Sequence, residues 1–138
     1  MSGLAATKIL SNSKANVFAF DDLKDRPSTL PKLNWINYQN WPWLKLSALV
    51  VSPGIPIHKD IKHKAIQLAL DHDVKIINDI DLFIETKPKA KIVGITGTNG
   101  KSTTVALLHH ILKFNNIKSV IGGNFGFPAC EIIDPGDN

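Results

Sequence analysis

The chain has 138 residues, 43% hydrophobic and 20% charged, the balance of a folded globular protein and not of a disordered tail. No stretch approaches the roughly 20 consecutive apolar residues that span a bilayer, and the opening Met1-Ser2-Gly3-Leu4-Ala5-Ala6 lacks the charged start and apolar core of a secretory leader. The formal net charge of +4 is spread over scattered lysines and the only cysteine is Cys130, which together argue against a nucleic-acid stripe and for a reducing compartment, the cytoplasm.

Short β-branched runs alternate with helical patterns, so the expected class is α/β with a parallel sheet. Residues Ser2–Leu10 read as a helix on which Leu4, Ala5 and Ile9 share a face. Asn16–Phe20 reads as a strand that ends at the acidic pair Asp21-Asp22. The proline- and tryptophan-bearing stretch Arg26–Leu46 is mostly irregular, with a short strand near Trp35-Ile36. Its tryptophans, Trp35, Trp41 and Trp43, are expected to anchor it on the core. Ser47–Val51 is a buried strand stopped by Ser52-Pro53-Gly54-Ile55-Pro56.

A helix over Lys59–His72 follows, with Ile61, Ala65, Leu68, Ala69 and His72 at helical spacing. Val74–Ile77 is the next strand, and Ile80–Glu85 is a short helix or turn. The polar, proline-bearing 87–90 segment has no periodicity and marks a linker between a domain over 1–86 and a second unit over 91–138. That unit reads as strand Lys91–Thr96, loop, helix Ser102–Asn115, strand Lys118–Ile121 and the glycine-rich Gly122-Gly123-Asn124-Phe125-Gly126. The lysines of the linker, Lys87, Lys89 and Lys91, carry no interleaved aromatics and read as solvated.

The chemistry concentrates at Gly97-Thr98-Asn99-Gly100-Lys101-Ser102-Thr103. Glycines let successive backbone N–H groups converge on a phosphate, and the helix start adds unsatisfied donors and the positive end of its dipole. Lys101 supplies a point charge to the outer phosphates, and the Ser102 hydroxyl is placed to ligate Mg²⁺. Strict Walker spacing wants glycine where Ile95 stands, so this is a variant loop. The alternative is a chance Gly-Lys-Ser at a helix start; the strand before, the helix after and Asn99 in the turn favour phosphate binding. His58 and His63 lack companions at metal spacing, His109 and His110 do not share a helix face, and Cys130 has no activating base nearby.

Thr96-Gly97-Thr98-Asn99-Gly100-Lys101-Ser102-Thr103 resembles the signature of the Mur ligase superfamily. Val51-Ser52-Pro53-Gly54-Ile55-Pro56 resembles its Ser-Pro-Gly loop. Asp79-Ile80-Asp81-Leu82-Phe83 resembles the segment leading to its linker, with Asp81 where glutamate is usual. Gly122-Gly123-Asn124-Phe125-Gly126-Phe127-Pro128 resembles a stretch of its central domain, with Phe125 replacing isoleucine. Ser2-Gly3-Leu4-Ala5-Ala6 resembles the end of a glycine-rich turn entering the first helix. Together these are most similar to the D-glutamate-adding branch.

The resemblance implies a Rossmann-like parallel-sheet N-terminal domain, followed by the first βαβ unit of a P-loop-type ATPase domain. It implies ATP and Mg²⁺ as cofactors, with ATP on Gly97, Thr98, Asn99, Gly100, Lys101, Ser102 and Thr103, Lys101 on the transferred phosphate and Ser102 on the metal. It implies UDP-N-acetylmuramoyl-L-alanine and D-glutamate as substrates of peptidoglycan synthesis, joined through an acyl phosphate. Ser52, Pro53, Gly54 and Asn124 would face the nucleotide sugar, and Asp21 and Asp22 its nucleoside, with Leu23 where an arginine can stand. Neither nucleic acid nor membrane is an expected partner. By the same resemblance a first strand is expected ahead of Met1 and the rest of the ligase beyond Asn138, too much for an active enzyme of this length. Two alternatives follow: a non-catalytic remnant or gene fragment binding nucleotide weakly, and another ATP-dependent amide ligase of the superfamily, such as a folylpolyglutamate synthase-like enzyme.

Overall fold

A computed structural model describes residues 2–22, 33–56 and 63–132. The elements expected at Arg26–Pro31, His58, Lys59–Lys62 and 133–138 lie outside the described residues. The chain divides into two compact units, Met1–Asp79 and Ile80–Asn138, so the division falls ahead of the polar 87–90 segment.

The first unit opens with helix α1 (Ser2–Asn12). It buries Ala5 and Ala6 and leaves Leu4 exposed, so its packed face is the small alanine pair and not the Leu4–Ala5–Ile9 stripe. Strand β1 (Phe18–Ala19) pairs in parallel with β2 (Asn34–Trp35), Phe18 opposite Asn34 and Ala19 opposite Trp35. Strand β3 (Ala48–Val50) pairs in parallel with β4 (Lys75–Ile77), in the register Ala48–Lys75, Leu49–Ile76 and Val50–Ile77. The Val51 N–H extends the second ladder with a 2.8 Å bond to the Ile77 carbonyl. All four strands are shorter than the apolar runs that encode them.

Parallel strands need a long crossover, and helix α2 (Lys64–Asp71) supplies it between β3 and β4. Its Ala65, Ile66 and Ala69 are buried and pack with Trp43, Leu49, Val51 and Val74. Tyr38, Trp41, Leu46, Ile55, Leu68 and Ile76 close over this cluster. Two of the three tryptophans hold this segment on the core; Trp35 lies in β2, half-buried and outside the core cluster. The Trp41 Nε1–H donates to the Ile36 carbonyl and the Trp43 Nε1–H to the Tyr38 carbonyl, both at 2.9 Å, so the two indoles enter the core with their polar atoms satisfied. Two 3₁₀ turns, Tyr38–Asn40 and Trp43–Lys45, carry this segment.

Helix ends share one device. The residue after each C-terminal cap is left-handed without being glycine: Lys14 (φ 63°), Asp73 (φ 56°), Lys87 (φ 52°) and Asn116 (φ 59°). After α2 the Asp73 N–H reaches the Leu70 carbonyl and the Val74 N–H reaches the Ala69 carbonyl. This is the reciprocal closure that satisfies orphaned carbonyls and turns the chain into the next strand.

In the second unit, helix α3 (Asp79–Glu85) straddles the division and helix α4 (Lys101–Phe114) follows the loop. α4 has no buried residue. The strands expected at Lys91–Thr96 and Lys118–Ile121 do not form among the described residues. Their apolar content is present, but no ladder pairs them, and Ile92 and Val93 are 56% and 66% exposed. The pairing found there is one bridge between Gly122 and Phe127, beside a 3₁₀ turn at Ala129–Glu131.

Ile66 is 1% exposed, so Ile66→Ala is expected to cost about 3 kcal/mol through lost burial and a residual cavity. Lys14→Gly removes left-handed strain at a net gain of about 0.5 kcal/mol after glycine's entropy is counted. Urea unfolding followed by circular dichroism checks both: the midpoint falls for the first and rises for the second.

Candidate functional site

In the first unit the candidate residues follow strand ends. The Ser52-Pro53-Gly54 turn leaves the β3 strand, all three residues exposed, and the Ile55 N–H closes it on the Ser52 carbonyl at 3.0 Å. Beside it stands the start of α1. A Cβ added to Gly3 would lie 3.0 Å from the Ser52 hydroxyl oxygen, tighter than ordinary contact. The missing side chain at Gly3 therefore lets the serine hydroxyl approach the first turn of a helix, whose leading N–H groups have no intrahelical acceptor. A hydroxyl beside the positive end of a helix offers a donor suited to an anion.

Asp21 and Asp22 follow β1 and are exposed. The Asp22 Oδ2 lies 2.8 Å from His63 Nε2. On the other side of its ring, His63 Nδ1 accepts from the Ala65 N–H at 3.1 Å, which makes His63 the N-cap of α2. Sequence reading set His63 aside as a metal ligand and missed this role. The signal was present, in a polar residue immediately before the periodic Ala65, Ile66 and Ala69.

In the second unit the loop meets the expected helix but not the expected strand ahead of it. Gly100 is the N-cap of α4 with φ 76° and ψ −2°, and no side chain caps the helix. A left-handed backbone here turns the chain sharply, which side chains resist and glycine permits. The first intrahelical bond is from the Thr104 N–H to the Gly100 carbonyl at 2.9 Å, so the amides of Lys101, Ser102 and Thr103 precede the ladder. The first turn holds no acidic residue, and nothing local repels an anion placed on those amides.

The Lys101 ammonium curls back over the loop and donates to the carbonyls of Gly97 at 2.5 Å and Thr98 at 3.2 Å. It braces the loop by the same charge that a phosphate would attract. Gly97, Thr98, Asn99, Ser102 and Thr103 are all exposed. Asn124 is exposed too, on the loop that the Gly122–Phe127 bridge closes. The Gly123 N–H donates to the Phe127 carbonyl at 2.8 Å. A depression of about 360 Å³, lined by Lys113, Asn116, Ile117, Lys118, Ser119 and Val120, lies at the opposite end of α4, roughly 20 Å from the loop.

The donor set fits a phosphate chain. Ser102 would offer one hydroxyl to Mg²⁺, an ion that takes most of its ligands from phosphate and water and so does not require an all-protein cage. Among the described residues no group of three or more His, Cys, Asp or Glu could hold a metal by itself.

No family model matches the chain. Curated relatives do. The chain is 42% identical over 135 residues to UDP-N-acetylmuramoylalanine–D-glutamate ligase of Wolbachia sp. subsp. Brugia malayi (strain TRS), a match covering 94% of this chain and 27% of the relative. It is 38% identical over 140 residues to the ligase of the same name from Rhodopseudomonas palustris (strain HaA2), covering 97% and 30%. A third of that name, from Rickettsia prowazekii (strain Madrid E), is 36% identical over 133 residues, covering 94% and 29%. The resemblance drawn from the motifs thus extends over nearly the whole chain, which spans somewhat over a quarter of the length of these relatives.

Gly100→Ala forces a Cβ into the left-handed region at a cost of about 1 kcal/mol. The expected readout is local: amide exchange at Thr104 quickens about fivefold while the core amides of Ile66 and Ala69 are unchanged. Equal exchange in variant and parent would remove the argument that this turn requires glycine.

Proposed function

We propose that the chain carries the nucleotide-sugar surface and the ATP-phosphate loop of an ATP-dependent amide ligase that adds D-glutamate to UDP-N-acetylmuramoyl-L-alanine in peptidoglycan synthesis. The observation that carries this reading is the uncapped, acid-free start of α4 behind left-handed Gly100, with the Lys101 ammonium poised on the loop. The names and identities of the relatives supply the substrate class. In this reading residues 1–86 form a Rossmann-like domain, 87–90 a linker and 91–138 the opening of a P-loop-type ATPase domain.

The work of the loop is positional. Backbone amides of Lys101, Ser102 and Thr103 receive phosphate oxygens, and Gly97, Thr98 and Asn99 shape the cradle. Lys101 exchanges its carbonyl partners for the outer phosphate and neutralises the charge that accumulates as the phosphoryl group moves. Bound ATP supplies the phosphoryl group that makes the muramoyl-alanine carboxylate a competent acyl donor to the D-glutamate amine. Ser102 would hold Mg²⁺ beside the phosphates, with the Thr103 hydroxyl adjacent.

On the first unit, Ser52 and the start of α1 receive the diphosphate, Pro53 and Gly54 keep that turn close, and Asp21 and Asp22 meet the nucleoside. Asn124, in the second unit, is a further proposed nucleotide-sugar contact. Among the described residues no helix is long and apolar enough to cross a membrane, and in this reading the reaction is cytoplasmic. One observation favours a second reading, binding without catalysis: Leu107, Ile111 and Phe114 of α4 stay exposed among the described residues. An ATPase unit with its apolar helix face uncovered holds phosphate more readily than it excludes water from a reaction.

Calorimetric titration with Mg-ATP is the direct test. Heat of binding is expected for the parent chain, and about a tenfold or greater loss of affinity for Lys101→Ala, which removes a charge-assisted contact. Absence of heat with the parent chain would sink the phosphate-loop reading. Phosphate release in the presence of both other substrates separates a ligase from a binding module. In the first unit, Gly3→Ala is expected to weaken UDP binding by crowding the Ser52 hydroxyl, while Mg-ATP binding stays as in the parent.

A further inference from the structure

His63 belongs to no part of the site as its motifs define it, yet it touches the nucleoside end of that site. Its ring meets two partners whose demands fix its state. The Ala65 N–H can only donate, so Nδ1 is an unprotonated acceptor at 3.1 Å. A ring proton then resides on Nε2, which points at the Asp22 carboxylate oxygen Oδ2 at 2.8 Å. The ring is also gripped by an aromatic ladder. Tyr38 meets His63 edge-to-face with centroids 5.3 Å apart, and Phe20, two residues ahead of Asp22, meets Tyr38 the same way at 5.4 Å. Three separate parts of the first unit therefore converge on one imidazole: the exit of β1, the 3₁₀ turn at Tyr38–Asn40 and the start of α2.

The Asp22 carboxylate is half-exposed, at 53%, and His63 less so, at 27%. An exposed aspartate on a strand exit samples several rotamers, and a ligand must order it on binding. The Nε2–H bond holds Oδ2 and so restricts the direction from which Oδ1 can accept a second donor. A nucleoside offers such donors in its ribose hydroxyls and, for uracil, its imide N–H. We propose that His63 is a positioning residue for nucleoside recognition, which pre-orders the Asp22 carboxylate through Nε2–H while Nδ1 anchors the ring on α2. This rests on the reading of Asp22 as a nucleoside contact given above.

The two roles of the ring can be separated by substitution. Asparagine is a good N-cap but too short to reach Asp22, whereas glutamine places an N–H near the position of Nε2. Calorimetric titration of the full chain with UDP is expected to show His63→Asn weakened about five- to tenfold, close to the loss in Asp22→Asn, with the two losses non-additive in the double variant. His63→Gln is expected to recover most of the affinity. Inorganic pyrophosphate, which lacks the nucleoside, should bind all these variants like the parent, and the unfolding midpoint of His63→Asn should match the parent.

UDP affinity unchanged in His63→Asn but reduced in Asp22→Asn would overturn the role of His63 and leave the nucleoside reading standing. An unchanged Asp22→Asn, or no binding of UDP by the parent chain, would overturn both. A loss in His63→Asn that tracks a lowered unfolding midpoint, with no recovery in His63→Gln, would reduce His63 to a helix cap.

Discussion

Parallel pairing is the constraint on which the first unit depends. Two parallel strands cannot be joined by a tight turn, so the register of β3 against β4 exists only while α2 crosses between them and packs on the pair. Ile66 and Ala69 make that packing, and Leu49, Val51 and Val74 receive it. Parallel strands also send their C-terminal ends to one edge, which is where α/β folds place ligands. The Ser52 turn leaves β3 at such an end and the Asp21-Asp22 pair leaves β1 at another. The helix that enforces the pairing begins at His63, and His63 holds Asp22. Core packing and site geometry meet in that residue.

The two candidate donor sets use the same physics with different parts. At α4 the left-handed Gly100 and the absence of a side-chain cap leave amides open, and Lys101 adds a mobile charge. At α1 the amides of the first turn are joined by a hydroxyl from a distant turn, admitted because Gly3 carries no Cβ. A lysine can release its grip on carbonyls when a phosphate arrives. Ser52 sits on a turn closed by its own carbonyl, so its hydroxyl starts from a more fixed position. In the proposed reading the first arrangement meets a phosphate chain that is cleaved and exchanged, and the second a diphosphate that is only held.

Much of this was legible in the residues. The order of helices and strands in the first unit, the tryptophan anchors and the helix behind Gly100 follow from periodicity, capping chemistry and indole donors. What periodicity cannot supply is a partner. The Lys91–Thr96 and Lys118–Ile121 runs have strand composition, but a strand exists only as a ladder to a neighbour, and among the described residues no ladder pairs them. Helix ends were legible to within two residues: expected at Leu10, His72, Glu85 and Asn115, they fall at Asn12, Asp71, Glu85 and Phe114. What composition did not mark is the left-handed residue just beyond each end, Lys14, Asp73, Lys87 and Asn116, where glycine is the usual signal. The cap role of His63 went unread because histidine was weighed only as a metal ligand, not as a residue that caps a helix with one nitrogen while donating from the other.

The two units differ in how far their own residues complete them. The first encloses a core around Ile66 and Trp43, and its candidate residues follow strands, with α2 closed at its end by reciprocal hydrogen bonds. The second presents Ile92, Val93, Leu107, Ile111 and Phe114 to solvent, and Ala129 is its buried apolar residue among those described. Geometry on a packed scaffold is held within tight limits, whereas a loop between an unpaired run and an unburied helix keeps its shape only through local bonds. The bonds from the Lys101 ammonium to Gly97 and Thr98 are therefore more than a resting place for a charge. They are the main side-chain brace on the loop, and a phosphate that draws Lys101 away must replace that brace with its own contacts to the amides.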